Sequence, residues 1–275
     1  PPPRSPIGTL PARTSILNNS HLYTGGPQFA GKRVVVVGTG NSGADIALDL
    51  HVRGAQSVTI LQRSSTCVQS AKTVVEGMDR VWAPDIPTEV ADYRAAGTPF
   101  NLIKQVFREH KDEYWAKDKD ILEGLIKAGM NVDLGPDGSG IWPLVYERGY
   151  WMDVGCADYV ISGKIKVKTS GIESFTETGL VLDDASTILD ADVVIFATGF
   201  VNIRTVMEEI FGDALEKAGP AGGVDEEGEM KGAYRSTGQP GLWYAFGDFQ
   251  MSRFESKLLA IQLQAIELGY MSQFG

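Results

Sequence analysis

The amino-acid sequence predicts an α/β fold built around a parallel β-sheet. The first indication is the run Arg33–Val37, which is β-branched, too short for a helix and flanked by glycines, as is typical of a strand buried on both faces. The second is the segment after this run, because a glycine-rich turn, a helical pattern and another strand come within about 30 residues and form one βαβ unit. With 275 residues and 43% hydrophobic content, the chain can form one large α/β domain or two small ones.

The remaining elements of this unit come in chain order. Apolar residues fall on one face of a helix predicted from Ser42 to Arg53, and Gly54 is suited to end it. A second β-branched strand is predicted over 57–61.

The middle of the chain mixes helical and strand patterns. Apolar residues recur at helical spacing in 100–110 and 119–128, so we predict a mostly helical excursion over 70–150. Three further strands are predicted after it, at 164–168, 179–182 and 192–197.

The last 75 residues are predicted to be less regular. A short helix, a flexible acidic stretch and a last strand are expected at 206–211, 222–231 and 242–246. The final helix is predicted to begin at Ser252, which stands in capping-box spacing with Glu255, and to end at Gly269.

The bulk composition excludes several classes of function. A formal net charge of −10 and a pI near 4.8 give no basic surface for nucleic acid or an anionic membrane. No apolar run approaches the roughly 18 residues that a spanning helix needs. Cys67 and Cys156 lie far apart with no Cys/His cluster nearby, which predicts neither a disulfide framework nor a zinc site. We therefore expect a soluble protein in a reducing, cytoplasmic compartment.

A glycine-rich turn with the spacing G-x-G-x-x-G comes directly after the first strand. Its residues, all candidate cofactor contacts, are Gly38, Thr39, Gly40, Asn41, Ser42 and Gly43. The first glycine allows a tight turn, the second lets the backbone approach a pyrophosphate, and the third permits close packing of helix on strand. The helix N-terminus adds unpaired N–H groups and the positive end of the helix dipole. Since the turn lies between a strand and a helix, it predicts a Rossmann-type dinucleotide-binding domain.

The end of the second strand indicates which dinucleotide is bound. NAD-binding domains place an acidic side chain there, which accepts a hydrogen bond from the ribose 2′-hydroxyl. This chain instead has the run Gln62, Arg63, Ser64 and Ser65. A guanidinium binds phosphate oxygens in a bidentate manner, so Arg63 and Ser64 are predicted to hold the 2′-phosphate of NADP(H). The alternative is that Arg63 is a solvated surface residue, as most arginines are.

Three blocks of the sequence, in this order, resemble flavin-containing monooxygenases. The first is Y-T-G-G-P-Q-F-A-G-K at 23–32, together with the strand and the G-T-G-N-S-G turn after it. The second is A-T-G-F at 197–200, which is similar to the segment that closes the family's NADPH domain. The third runs over 241–269, contains G-D-F-Q at 247–250 and resembles the family's return to its FAD domain. The resemblance covers nearly the whole chain.

The resemblance implies a function, two cofactors and a small-molecule substrate. In the family, NADPH reduces FAD, and one atom of O₂ then passes to a small-molecule nucleophile or ketone, while the protein positions and shields the cofactors. The matched segments give four more candidate cofactor contacts, which are Thr198, Gly199, Gly247 and Asp248. No catalytic side chain is assigned, because no Ser/His/Asp triad, metal cluster or carboxylate pair can be recognised in the sequence.

The resemblance also implies a domain order. Residues 1–30 are expected to be a lead-in from the FAD domain, 31–200 a three-layer Rossmann-type NADPH domain, and 201–275 the returning part of a partial, FAD-type second domain. The family begins with an earlier G-x-G-x-x-G turn for FAD, and none precedes Gly38 here. The chain also opens with three prolines and no initiator methionine. We therefore expect that the N-terminal FAD-binding half is missing and that the fragment alone is inactive.

The sequence departs from the family at one signature position and contains two aspartates of open role. The family has a histidine four residues before its tyrosine, where this chain has Asn19, while His21 lies two residues before Tyr23. Asp153 and Asp158 come close together in the chain and could either position a substrate or cap a loop.

Two other interpretations of the function stay open. A reductase that passes hydride directly from NADPH to its substrate needs a Tyr-x-x-x-Lys pair, and neither Tyr146 nor Tyr159 has a lysine at that spacing. A non-catalytic nucleotide-sensing or interaction protein is the other, because a fold alone does not determine a function.

Overall fold

A computed structural model describes residues 20–135, 138–140, 150–184 and 187–272, together with the backbone of 15–17. Its strands, numbered β1 to β10, are Ser15–Leu17, Arg33–Val37, Ser57–Gln62, Val68–Ser70, Trp151–Asp153, Ile165–Thr169, Ile172–Thr176, Gly179–Leu182, Ile188–Asp190 and Val193–Phe196. Its helices, numbered α1 to α9, are Asn41–Val52, Ala71–Val81, Thr88–Ala96, Phe100–Glu109, Lys111–Lys117, Lys119–Lys127, Cys156–Ile161, Ile203–Phe211 and Phe249–Glu267. Asn19 and Tyr146 lie outside the described residues.

The central sheet is parallel throughout and has the strand order β1-β10-β2-β3-β6. Val35 in β2 pairs with Thr59 in β3 and with Val194 in β10. The predicted α/β, Rossmann-type fold is therefore confirmed, and so are the strands predicted around 33–37, 57–61 and 192–197. The domain boundaries at residues 30 and 200 stay predictions.

Strand β2 lies in the middle of three layers. Val34 and Val36 belong to an apolar cluster that includes Leu50 of α1. Val35 points the other way, into a cluster with Leu180 of β8, because successive side chains of a strand face opposite sides. The second face is covered by the antiparallel strands β7, β8 and β9. The β-branched run is thus buried on both sides, as the sequence predicts.

An ion pair fastens the beginning of β2 to the beginning of β10. The Arg33 guanidinium lies 2.8 Å from Asp192 and 3.1 Å from Asp190, and the Arg33 backbone N–H donates to Asp192 at 2.8 Å. The hydrogen bonds from Arg33 lower the pKa of Asp192 to about 2. These contacts set the register at the end of the sheet opposite the glycine-rich turn.

The helical excursion leaves the sheet after β3 and returns before β6. Strands β4 and β5 pair in parallel at its two ends, and α2 to α6 lie between them. The helices predicted at 100–110 and 119–128 are confirmed as α4 and α6. Buried Asp118, at the start of α6, accepts hydrogen bonds from the Ser70 N–H at 2.8 Å and the Thr73 hydroxyl at 2.8 Å, and so ties α6 to α2.

The strand predicted over 242–246 is wrong. Only isolated bridges form there, between Trp243 and Ser236 and between Tyr244 and Ala233. The apolar side chains instead pack on the segment around Leu215, where Tyr244 is buried. Burial against a neighbouring loop satisfies the same apolar pattern that a sheet strand would.

The final helix begins one turn earlier than predicted. Asp248 caps it, accepting a hydrogen bond from the Met251 N–H at 2.8 Å, so the predicted capping box of Ser252 and Glu255 is wrong. An aspartate is a strong N-cap residue, and it takes the role ahead of the predicted start. The predicted end at Gly269 is confirmed by its positive φ of 74°.

A buried carboxylate joins this final helix to the excursion. Asp92 of α3, with 1% of its surface exposed, receives the Arg253 Nε–H at 2.6 Å and the Trp82 indole N–H at 2.9 Å. The hydrogen bonds from Arg253 lower the pKa of Asp92 to about 2. An ion pair that requires an ionised Asp92 therefore joins the final helix to the helical excursion.

Replacing Asp92 with asparagine is expected to lower the melting temperature, and by less as the solution becomes more acidic. The folded pKa lies below the usual value, so the ion pair stabilises fully above about pH 4 and its contribution is lost as the pH falls through about 2. Thermal unfolding of both proteins between pH 7 and the acid limit of folding measures this. Asp79→Asn, an exposed site on α2, is the control. If the difference in melting temperature between Asp92→Asn and the original protein stays constant with pH, the ion pair does not have the stabilising role assigned to it.

Candidate dinucleotide-binding site

The glycine-rich turn is held by backbone contacts that exclude a side chain. Gly38 has φ +117°, and a Cβ there would lie 2.3 Å from the Ala197 carbonyl oxygen at the end of β10. A Cβ on Gly43 would lie 2.3 Å from the Gly38 carbonyl oxygen. The Gly38 N–H donates to the Leu61 carbonyl of β3 at 3.0 Å. The first and third glycines of the motif thus allow strand β2, helix α1 and strand β10 to meet.

Two polar side chains of the turn stabilise it from within. Thr39 is buried and its hydroxyl lies 2.8 Å from the Thr66 hydroxyl. Asn41 accepts the Met152 N–H on its side-chain oxygen at 2.7 Å and donates its own backbone N–H to the Tyr150 carbonyl at 3.0 Å. These side chains fix the turn to β5 and to the segment before β4. The Thr39 hydroxyl and the Asn41 side-chain oxygen are therefore engaged within the fold.

The exposed residues of the turn border the ends of the central strands. Gly40 is the N-cap of α1, with extended backbone, and Ser42 lies in the first turn of the helix. Thr198 and Gly199, which are exposed, come after Ala197, whose N–H donates to the Val37 carbonyl at 2.8 Å. The structure therefore brings the predicted residues of the 38–43 and 197–200 segments to one edge of the sheet.

A cleft opens beside this edge at the end of β3. Its volume is about 530 Å³. We call it the Arg63 cleft, and its lining residues are Arg63, Ser64, Ser65, Ile126, Met130, Asn131, Val132 and Asp133. Arg63 is exposed and forms no ion pair with another described residue. Since Gly38 is hydrogen-bonded to the same strand end, an unpaired guanidinium and two hydroxyls lie next to the glycine-rich turn.

The far wall of the cleft comes from a segment that the sequence pattern does not identify. Gln62, fully buried, donates its amide N–H to the Asn131 carbonyl at 2.9 Å and accepts the Asn131 N–H at 2.7 Å. Thr66 continues the pairing, because it receives the Asp133 N–H on its carbonyl at 3.2 Å. The one signal for this wall is a glutamine at the end of a strand that is predicted to be buried, which indicates a polar partner elsewhere in the chain.

Gly247 and Asp248 are not joined to this edge by any hydrogen bond or ion pair of the described residues. The Asp248 carboxylate is engaged as the N-cap of α9, and α9 contacts α3 of the excursion. Their role as cofactor contacts stays a prediction.

Of the two aspartates near Cys156, Asp153 has a structural role, whereas the role of Asp158 stays open. The Asp153 carboxylate accepts the Ala157 N–H at 2.9 Å and so caps α7. Burial, with a further contribution from Asp153 and Asp45, raises the pKa of Cys156 to about 12. The thiol is therefore protonated and unreactive. The loop-capping interpretation of Asp153 is confirmed.

Within the part of the chain that the structure describes, no cluster of His, Cys, Asp and Glu side chains is arranged to hold a metal ion. The described helices also include none with the length and hydropathy needed to cross a bilayer.

Comparison with known proteins finds relatives that are named monooxygenases. The family profile described as FMO-like, flavin-binding monooxygenase-like, matches residues 13–91 and 142–217, more than half of the chain. Flavin-containing monooxygenase 3 of Macaca mulatta is 31% identical over 183 residues, which are 66% of this chain and 30% of that protein. Indole-3-pyruvate monooxygenase YUCCA4 of Oryza sativa subsp. japonica is 30% identical over 186 residues, which are 66% of this chain and 37% of that protein.

A solved structure matches the fold over most of the chain. It is the cyclohexanone-bound crystal structure of cyclohexanone monooxygenase in the rotated conformation, with a TM-score of 0.52 over 96% of this chain and 61% of that one. At 15% identity the likeness concerns the fold alone. The chain spans about a third of the length of the curated relatives it matches.

Replacing Gly38 with alanine is expected to destabilise the protein by at least about 2 kcal/mol and to abolish dinucleotide binding, because the new Cβ clashes with backbone and the φ is strained. Gly31→Ala is a matched control, since Gly31 has φ +71° but nothing within 4 Å of a Cβ. Its cost is expected to be only the strain of about 1 kcal/mol. Melting temperatures and NADPH titrations measure both effects, and equal losses for the two variants would contradict the steric argument.

Proposed function

The chain belongs to the flavin-binding monooxygenase-like family, and on this premise we propose that it is the NADP(H)-binding portion of an FAD-dependent monooxygenase. The proposed reaction inserts one oxygen atom of O₂ into a small-molecule nucleophile or ketone. The curated relatives support this proposal, because each is named a monooxygenase.

The guanidinium of Arg63, which forms no ion pair with any residue that the structure describes, is the observation that carries the proposal. It lies in a cleft with Ser64 and Ser65, at the end of the strand whose Leu61 carbonyl receives the Gly38 N–H. In a Rossmann-type fold the pyrophosphate binds at the glycine-rich turn and the adenine ribose at the end of the neighbouring strand. A cation and hydroxyls at that place suit a 2′-phosphate.

The residues fit NADP(H) in an ordered way. The backbone of the 38–43 turn and the N-terminus of α1 would receive the pyrophosphate, because the side chains of Thr39 and Asn41 are directed into the fold. The N–H groups of Gly38 and Asn41 donate to protein carbonyls, so other N–H groups of the turn would bind the phosphate oxygens. Arg63 and Ser64 would receive the 2′-phosphate. Thr198 and Gly199, at the end of β10, would border the bound coenzyme. When bound, NADPH supplies hydride to the flavin, and the flavin supplies the chemistry with oxygen.

The described residues do not assemble a comparable site for FAD. Gly247 and Asp248 are its assigned contacts, and the carboxylate of Asp248 is already bound to the Met251 N–H. No part of the flavin chemistry is therefore assigned to Gly247 or Asp248. The sequence contains one G-x-G-x-x-G turn, which is proposed to hold NADP(H), so the chain by itself is proposed to bind the coenzyme without FAD.

Direct reduction of a substrate is the less supported alternative. Tyr159 has Gly163 where a reductase needs lysine, and its ring lies against His51 and under the Lys164 ammonium. These contacts give the ring a packing role. The other alternative is a nucleotide-binding protein without catalysis. It predicts that a longer form of the protein does not use flavin, whereas the proposal predicts that it does.

Absorbance at about 450 nm, where oxidised flavins absorb, distinguishes the proposed monooxygenase from the two alternatives. The purified 275-residue chain is expected to bind NADPH and to show no flavin absorbance or NADPH oxidation. A longer form of the protein is expected to be yellow and to consume NADPH with O₂ when amines, sulfides or ketones are added. A yellow 275-residue chain that consumes NADPH would refute the fragment assignment, and a colourless longer form would favour the non-catalytic alternative.

Replacing Arg63 with alanine is expected to reduce the preference for NADPH over NADH by about 1–3 kcal/mol, the range for one charged hydrogen-bonding contact. The exposed Arg80 of α2 gives the control, Arg80→Ala, which removes the same charge outside the cleft and is expected to leave the preference unchanged. Binding of both coenzymes is measured by titration. If the preference is the same in Arg63→Ala and in the original chain, the assignment of Arg63 to the 2′-phosphate of NADP(H) is contradicted.

A further inference from the structure

The Arg63 cleft contains a carboxylate that the end of β3 lacks. Asp133 lines the cleft together with Arg63 and Ser64, although it comes about 70 residues later in the chain. We propose that Asp133 is a specificity-determining residue that opposes the 2′-phosphate of NADP(H), so that the cleft also accepts the unphosphorylated ribose of NAD(H). The inference rests on the proposed function, since it concerns the same coenzyme site.

The position of Asp133 is fixed by hydrogen bonds on both sides. Its N–H donates to the Thr66 carbonyl at 3.2 Å, and one carboxylate oxygen accepts the Gly135 N–H at 3.0 Å. The preceding residue, Val132, forms a parallel bridge with Thr66, and Gln62 holds Asn131 through two bonds. The carboxylate is therefore a built part of the wall and not a mobile surface group.

The charges of Asp133 and Arg63 face the same space without neutralising one another. No ion pair between described residues joins Asp133 to Arg63. A 2′-phosphate entering the cleft is attracted by the guanidinium and repelled by the carboxylate. A ribose hydroxyl carries no charge, and it can donate to a carboxylate as it does to the acidic side chain of NAD-binding domains.

Asp133 also caps a local turn, and this simpler role has to be separated from the proposed one. Asparagine has nearly the same shape, and its side-chain oxygen also accepts a hydrogen bond. Asp133→Asn therefore keeps an acceptor for the Gly135 N–H, removes the charge and replaces one carboxylate oxygen with an NH2 donor. A turn-capping role alone predicts that this variant binds every nucleotide as the original chain does.

The test compares the binding of 2′,5′-ADP and 5′-AMP to the 275-residue chain by calorimetry. Asp133→Asn is expected to bind 2′,5′-ADP about two- to fivefold more tightly, in the range of one partly screened charge, and to bind 5′-AMP no more tightly than the original chain. The gain is expected to shrink at high ionic strength, because screening weakens Coulomb repulsion. A local structural change has no reason to show that salt dependence.

Asp184→Asn is the matched control. Asp184 accepts the Thr187 N–H at 2.8 Å in a turn after β8, so the variant removes one negative charge from a similar turn that does not line the cleft. It is expected to leave the ratio of the two affinities unchanged.

The outcomes separate this inference from the proposed function. If Arg63→Ala weakens 2′,5′-ADP while Asp133→Asn changes neither ligand, the coenzyme site stands and the role of Asp133 is overturned. Weaker 2′,5′-ADP binding by Asp133→Asn overturns it as well. If Arg63→Ala leaves the ratio of affinities unchanged, the proposed function itself fails.

Discussion

The close approach of three backbone segments at Gly38 is the constraint on which the rest of the structure depends. Its carbonyl lies against α1 at Gly43, its α-carbon faces the Ala197 carbonyl, and its N–H donates to Leu61. Because these contacts leave no room for a side chain, the helix begins directly at the carboxyl edge of the sheet. The positive end of its dipole is thereby directed to the edge that holds the predicted ligand residues.

Those parts of the fold that depend on local sequence could be predicted. The run Arg33–Val37 and the strand before Ala197 are β-branched and short, and such strands are typically buried on both faces. The glycine-rich turn is recognisable because its glycines are spaced at the positions where the turn and the helix packing leave no room for a side chain. Arg63 is predicted from its place at a strand end, and its position in a cleft supports the hypothesis.

Features that depend on distant contacts could not be predicted. The apolar run Leu242–Phe246 has the composition of a strand, but packing around Leu215 gives it a different partner. Gln62 and Asn131 are 69 positions apart in the chain, so no spacing rule connects them. Asp133 escapes prediction for the same reason, because the motif places its carboxylate only among the residues directly after β3. Asp248 is recognised as significant, although its observed contact is that of a helix cap.

The Arg63 cleft has two walls of different origin. One wall is the edge of the sheet itself, whereas the other is the exit of a long insertion that is joined to the sheet by the Gln62–Asn131 bonds and by the backbone pairing of Thr66. Apolar side chains of the insertion also pack in the cluster that contains β2 and α1, so the fold constrains its buried residues more than those that line the cleft. Under the proposed role of the cleft, substitutions in that wall would change the preference between NADP(H) and NAD(H) while β2, α1 and the glycine-rich turn stayed the same.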